Sequence, residues 1–100
     1  MTEHYVKFSL TEICHAVEMP EHMVIELIHH DIVQPAGEHP SEWIFDITML
    51  SIAKRAVRLH LDLELEWSAI AVIEDLLQQR EQLQMENDSL RQQLQRFLEN

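Results

Sequence analysis

One hundred residues with 46% hydrophobic and 25% charged side chains make one small folding domain, or one domain with a tail. A single Gly and three Pro argue against turn-rich sandwiches and barrels and leave no Gly-rich phosphate cradle; one Cys allows neither an intrachain disulfide nor a cysteine-built zinc site. The net charge of -11, from 18 acids against seven Lys and Arg, repels nucleic acid and anionic membranes and favours a basic protein partner.

The first residues, Met1-Thr2-Glu3-His4, carry neither a basic n-region nor an apolar h-region, and no 18-residue apolar run follows, so a soluble, cytoplasmic protein is expected. His4 to Phe8 is short, aromatic and β-branched, and reads as a brief strand. Ser9-Leu10-Thr11-Glu12 is a capping box, in which the Ser hydroxyl and the Glu carboxylate each satisfy an orphan amide of the first turn. The helix it opens runs to about Val17 and buries Leu10, Ile13, Cys14 and Val17. Met19-Pro20-Glu21 turns the chain, with Pro20 suited to the first position of a second helix. That helix reaches about His30, with Met23, Val24, Leu27 and Ile28 on its apolar side. Two short helices joined by a tight turn make a helix-turn-helix.

Ile32-Val33-Gln34-Pro35 and Trp43-Ile44-Phe45 flank a segment rich in turn formers and read as a small hairpin, or wing. Asp46 is a good N-cap for a third helix, Ile47 to about Leu63, with Ser51, Arg55, Arg58 and Asp62 as its exposed stripe. Arg58 and Asp62 stand at salt-bridge spacing. Leu61 to Glu66 alternates apolar and acidic and leads into a linker, and a fourth helix begins near Glu66-Trp67-Ser68. In it Ala69, Leu76, Leu83, Leu90 and Phe97 recur every seven residues, with Ile73, Arg80, Asn87 and Leu94 as a second row four residues on. This is a coiled-coil-like helix in which Asn87 can fix the register. A solitary helix so narrow and polar is marginal in water. A homodimer joined through Leu76, Leu83, Leu90, Leu94 and Phe97 is therefore expected. The chain divides into a head, residues 1–65, and a dimerisation helix, residues 66–100.

The acids are not evenly spread. Between Lys7 and Lys54 lie 46 residues with no Lys or Arg and eight acids: Glu12, Glu18, Glu21, Glu26, Asp31, Glu38, Glu42 and Asp46. Lys54, Arg55 and Arg58 form the one basic patch, read as a solvated helix face, with a charge contact to a partner as the second reading. Seven His invite a metal reading, and His22, Glu26 and His30 share one helix face. An offset of eight residues spans about 12 Å, however, so both His cannot hold one ion bound at about 2 Å. No metal or other cofactor is expected. Cys14 and His15 are about 100° apart around a helix, no nucleophile has a base beside it, and the chain reads as no enzyme. Trp43 and Phe45 lie on one side of a strand, Phe45 reading as core and Trp43 as core or contact.

Certain stretches carry a resemblance: Phe8-Ser9-Leu10-Thr11-Glu12, Val33-Gln34-Pro35, Trp43-Ile44-Phe45-Asp46, Arg55-Ala56-Val57-Arg58-Leu59, Leu65-Glu66-Trp67 with Ile70-Ala71-Val72, and Glu86-Asn87 before Leu90-Arg91. In order and spacing they resemble the chaperone-modulator family called CbpM, over nearly the whole chain. The resemblance implies a mainly α, MerR-like winged helix-turn-helix with a small β-wing and a C-terminal coiled-coil-like helix. It also implies no catalysis: such proteins bind the J-domain of a curved-DNA-binding, DnaJ-type co-chaperone and inhibit its stimulation of Hsp70. MerR-like readers of DNA place basic residues on the second helix and wing, where this chain has none, so DNA is not expected as a partner. The acidic contribution to partner binding is placed on Glu21, Glu26, Asp31, Glu38 and Glu42, with Trp43 as apolar anchor.

Overall fold

The computed structural model describes residues 6–99. In chain order it contains β1 (Lys7–Phe8), α1 (Leu10–Val17), α2 (Glu21–His29), one 3-10 turn (Pro40–Glu42), β2 (Phe45–Asp46), α3 (Ile47–Leu63) and α4 (Trp67–Glu99). The architecture is mainly helical, with one two-stranded sheet. The His4 and Tyr5 part of the expected strand lies outside the described residues.

Local chemistry sets the helix ends. At the start of α1 the Glu12 amide donates to Ser9 Oγ (3.1 Å) and the Ser9 amide to Glu12 Oε1 (2.8 Å), the reciprocal pair expected of a capping box. Glu18 closes α1 in the left-handed region at φ 57, which lets the Met19 amide reach the Cys14 carbonyl at 3.1 Å. Pro20 is the N-cap of α2 and not its first helical residue: its ψ of 161 is extended, and its carbonyl accepts from the Met23 amide at 3.0 Å. Asp46 caps α3 by accepting from the Met49 amide at 2.8 Å.

The expected hairpin is corrected. Ile32 and Val33 are both buried, so consecutive side chains enter the core and the run cannot alternate as a strand on a single sheet face. Phe45–Asp46 instead pairs antiparallel with Lys7–Phe8, in the register Lys7 to Asp46 and Phe8 to Phe45. The wing itself is closed by a single bridge, Ala36 to Ile44, with reciprocal bonds of 3.1 and 2.9 Å. Gly37, at φ +113, lets the wing fold back on itself, since a Cβ there would stand 2.7 Å from the Glu42 carbonyl oxygen.

Leu10, Ile13 and Val17 of α1, Val24 and Leu27 of α2, Phe45 of β2 and Leu50, Ala53, Ala56 and Val57 of α3 form the core with Ile32, Val33 and Ile70. Cys14 is only half-buried, at the edge of this cluster. Ile70 belongs to α4, so the first turns of the long helix complete the core of the head. Beyond Leu77 every described side chain of α4 is exposed. A helix of 33 residues is about 50 Å long, and it gives the molecule its 57 Å long axis. None of the described helices is long and apolar enough to cross a membrane.

Candidate partner-binding surface

α2 turns Val24 and Leu27 into the core and leaves Glu21, His22 and His29 exposed. Glu21 lines one cleft together with Ser9, Leu10 and Thr11 at the start of α1 and Pro40 and Ser41 of the wing. The α2 start and the 3-10 turn carrying Glu42 thus flank one surface, and Glu38 is exposed in the same wing. Asp31 is exposed at the far end of α2, in the left-handed region at φ 58.

Glu26 departs from this group. It lies about 140° round the helix from Glu21. It is half-buried, with its carboxylate 3.6 Å from His30 Nδ1, which also lies 3.0 Å from the Glu26 carbonyl oxygen. Trp43 is half-buried as well, meeting Phe45 edge-on at a centroid distance of 6.5 Å. Its neighbour Ile44, 46% exposed, is an apolar group of the wing that the sequence pattern did not single out. Among the described residues, no three His, Cys, Asp or Glu side chains gather to hold a metal, and no buried side-chain polar atom lacks a partner. What the head offers is a charged surface with apolar edges, suited to another macromolecule.

The expected Arg58–Asp62 pair does not form; the ion pair of α3 runs from Arg55 to Glu74 of α4. Both guanidinium contacts are short, Nε to Oε2 at 2.8 Å and Nη2 to Oε1 at 2.6 Å, and Glu74 is only 2% exposed. The hydrogen bond from Arg55 to Glu74 holds the guanidinium pKa further up than usual. Nearby, His60 Nδ1 donates to the Leu65 carbonyl at 2.8 Å, while its ring stacks on Trp67 at 4.0 Å. Arg55, His60, Trp67 and Glu74 therefore hold the corner between α3 and α4, a role no local motif announced. The sign was an acid on the inner row of α4, beside Ile70 and Leu77, where an unpaired carboxylate would be costly.

Far from the head, the apolar stripe of α4 is open to solvent: Leu76, Leu83, Leu90, Leu94 and Phe97 are 57 to 76% exposed. At 100° per residue the stripe faces about 140° away from the row that packs on the head.

Cys14 has its thiol pKa raised, first by burial and next by the Glu21 charge. A raised pKa lowers the thiolate fraction at any given pH, so alkylation at pH 8 is expected to be slower than for free cysteine. Glu21→Gln removes the second cause and should speed it, as measured by labelling rate against pH.

Comparison with known proteins adds a family to this geometry. The profile described as MerR HTH family regulatory protein matches residues 8–92. A chaperone modulatory protein CbpM of Pseudomonas putida strain F1 is 40% identical over 94 residues, covering 94% of this chain and 93% of that one. The protein of the same name from Citrobacter koseri is 32% identical over 95 residues, covering 95% and 94%.

Proposed function

We propose, for a chain that belongs to the MerR helix-turn-helix regulatory proteins and among them to the chaperone modulatory proteins CbpM, that its acidic head binds the J-domain of a DnaJ-type co-chaperone and inhibits its stimulation of Hsp70. The observation that carries the reading is the 46-residue run from Phe8 to Ala53, without Lys or Arg, which folds into α1, α2, the wing, β2 and the first turns of α3. J-domains as a class present a basic helix to an acidic Hsp70 surface. A head with a similar field competes for that helix, with long-range attraction speeding encounter and a few apolar groups holding the complex. Glu21, Glu38 and Glu42 supply the charge on one side and Asp31 on the other, while Ile44 and the open edge of Trp43 supply apolar contact. The activity is modulation without catalysis, in keeping with relatives named as regulatory and modulatory proteins. The modulator acts in the cytoplasm as a homodimer joined through the α4 stripe.

The test is Hsp70 ATPase turnover stimulated by the cognate co-chaperone. Addition of this protein is expected to return turnover towards the unstimulated rate, less effectively as salt rises, since exposed charge pairs are screened. Undiminished stimulation at a large excess of modulator would overturn the reading.

The family description gives a second reading, a DNA-binding transcriptional regulator, its own footing. A winged reader neutralises several phosphates with Lys and Arg, and that contribution dominates affinity. Here the recognition-helix position offers Glu21 and Glu26, and the wing offers Glu38 and Glu42. No duplex is expected to shift in a gel at submicromolar protein and ~150 mM salt; a shift under those conditions would favour the regulator.

A further inference from the structure

The 46 residues from Phe8 to Ala53 hold five of the seven histidines beside their eight acids: His15, His22, His29, His30 and His39. Seven of those acids have a histidine within four residues, and the exception is Asp46, which caps α3. His15 stands three residues from both Glu12 and Glu18, His22 follows Glu21, His29 and His30 lie between Glu26 and Asp31, and His39 lies between Glu38 and Glu42. Glu21 lines one cleft with Pro40 and Ser41, and His22 and His39 adjoin these residues in the chain. His15, His22, His29 and His39 are exposed, while His30 is half-buried against Glu26. Among the described residues no other histidine forms an ion pair with a carboxylate.

Imidazole is the side chain whose charge changes between about pH 5 and about pH 8. With the five rings neutral the stretch has a formal charge of -8, and with all of them protonated -3. We infer that these histidines make the head's hold on a basic partner pH-dependent, so that acidification weakens J-domain binding and returns the J-domain to Hsp70. This rests on the J-domain reading above and adds its regulation. A ring outside any internal ion pair projects its charge into solvent, where an approaching basic helix meets repulsion beside each acid. The bound state therefore holds fewer protons than the free one. Affinity falls as pH falls, and binding releases protons. Neighbouring elements do not reverse this sign. The cations packed around α1 and α2 are Lys7 of β1 and Lys54, Arg55 and Arg58 of α3, classes that titrate far above this range, and Arg55 is held by Glu74. Asp46 and Asp62 form no ion pair with a ring, and His60 of α3 is engaged with the Leu65 carbonyl and Trp67. The Cys14 thiol, pushed up by burial and by Glu21, stays neutral.

The experiment is titration calorimetry of the J-domain into the intact protein at low salt, at about pH 8 and about pH 6, in buffers of differing ionisation enthalpy. Affinity is expected to fall about fivefold over this range, with net proton release on binding. A second protein carries His15→Gln, His22→Gln, His29→Gln and His39→Gln, which are uncharged at either pH, and keeps His30. It should match the parent at the higher pH and lose less than about twofold at the lower one. Far-ultraviolet circular dichroism at each pH separates loss of charge from loss of fold. Equal parent affinity at both pH values overturns the inference. A fourfold variant that weakens as steeply as the parent overturns it too, because the titrating groups then lie outside these rings. Absence of binding by either protein at the higher pH overturns the J-domain reading instead.

Discussion

Arg55→Ala is expected to destabilise the protein by about 3 kcal/mol, the low end of what breaking a buried ion pair costs. The substitution strands Glu74, which is 2% exposed and receives both guanidinium bonds. Arg55 itself is 46% exposed on its side chain, and water entering its place screens part of the loss, which keeps the figure at that low end. For a domain of this size about 3 kcal/mol corresponds to a fall in Tm of roughly 12–24 °C. Glu74→Gln keeps a hydrogen-bonding group and should cost less. Replacing both partners, Arg55→Met with Glu74→Leu, removes the stranded charge and should restore most of the stability. Thermal unfolding followed by circular dichroism at one fixed protein concentration measures all four proteins. A double variant no better than Arg55→Ala would mean that the corner needs the ion pair itself, and not merely the absence of a lone buried charge.

Changing Glu21, Glu38 and Glu42 together to Lys is expected to weaken J-domain binding about a hundredfold at low salt. Each reversal removes an attraction and adds a repulsion, each of the order of a few tenths to 1 kcal/mol for exposed groups. The loss should fall mainly on the association rate and shrink as salt is added. All three side chains are exposed, and none makes a side-chain contact that the fold depends on, so the variant should keep the parent's unfolding midpoint to within a few degrees. Asp31→Lys alone should matter less, being at the far end of α2. Glu26→Lys would be a poor probe, since its half-buried carboxylate faces His30 and the change would disturb the helix as well as the charge.

Much of the fold was legible because it rests on short-range chemistry. The capping box at Ser9–Glu12, the Asp46 cap and the limits of α3 all follow from residues within one turn of each other. What the sequence hid was long-range. The partner of Phe45 in the sheet is Phe8, 37 residues away, and a β-prone run at Ile32–Val33 stands closer in the chain. That nearer run is pulled into the core on both of its faces, and periodicity alone cannot show this. Arg55 illustrates the same limit: spacing along α3 suggests Arg58 with Asp62, but the ion pair that forms runs from Arg55 to Glu74, 19 residues on in α4, a distance no helix spacing displays. The acidic surface was legible as composition and less so as geometry. Counting acids groups Glu26 with Glu21, whereas on α2 the two stand about 140° apart and Glu26 faces His30. The exposure of Ile44 in the wing is not legible from its place between two aromatic residues, since exposure within a bridge depends on how the whole loop folds.

Titration calorimetry of the isolated J-domain into the intact protein decides whether the acidic head takes a basic J-domain. Saturable binding is expected, with one J-domain per chain and an affinity that falls steadily as salt is raised. The absence of binding at low salt, with both proteins folded, would contradict it.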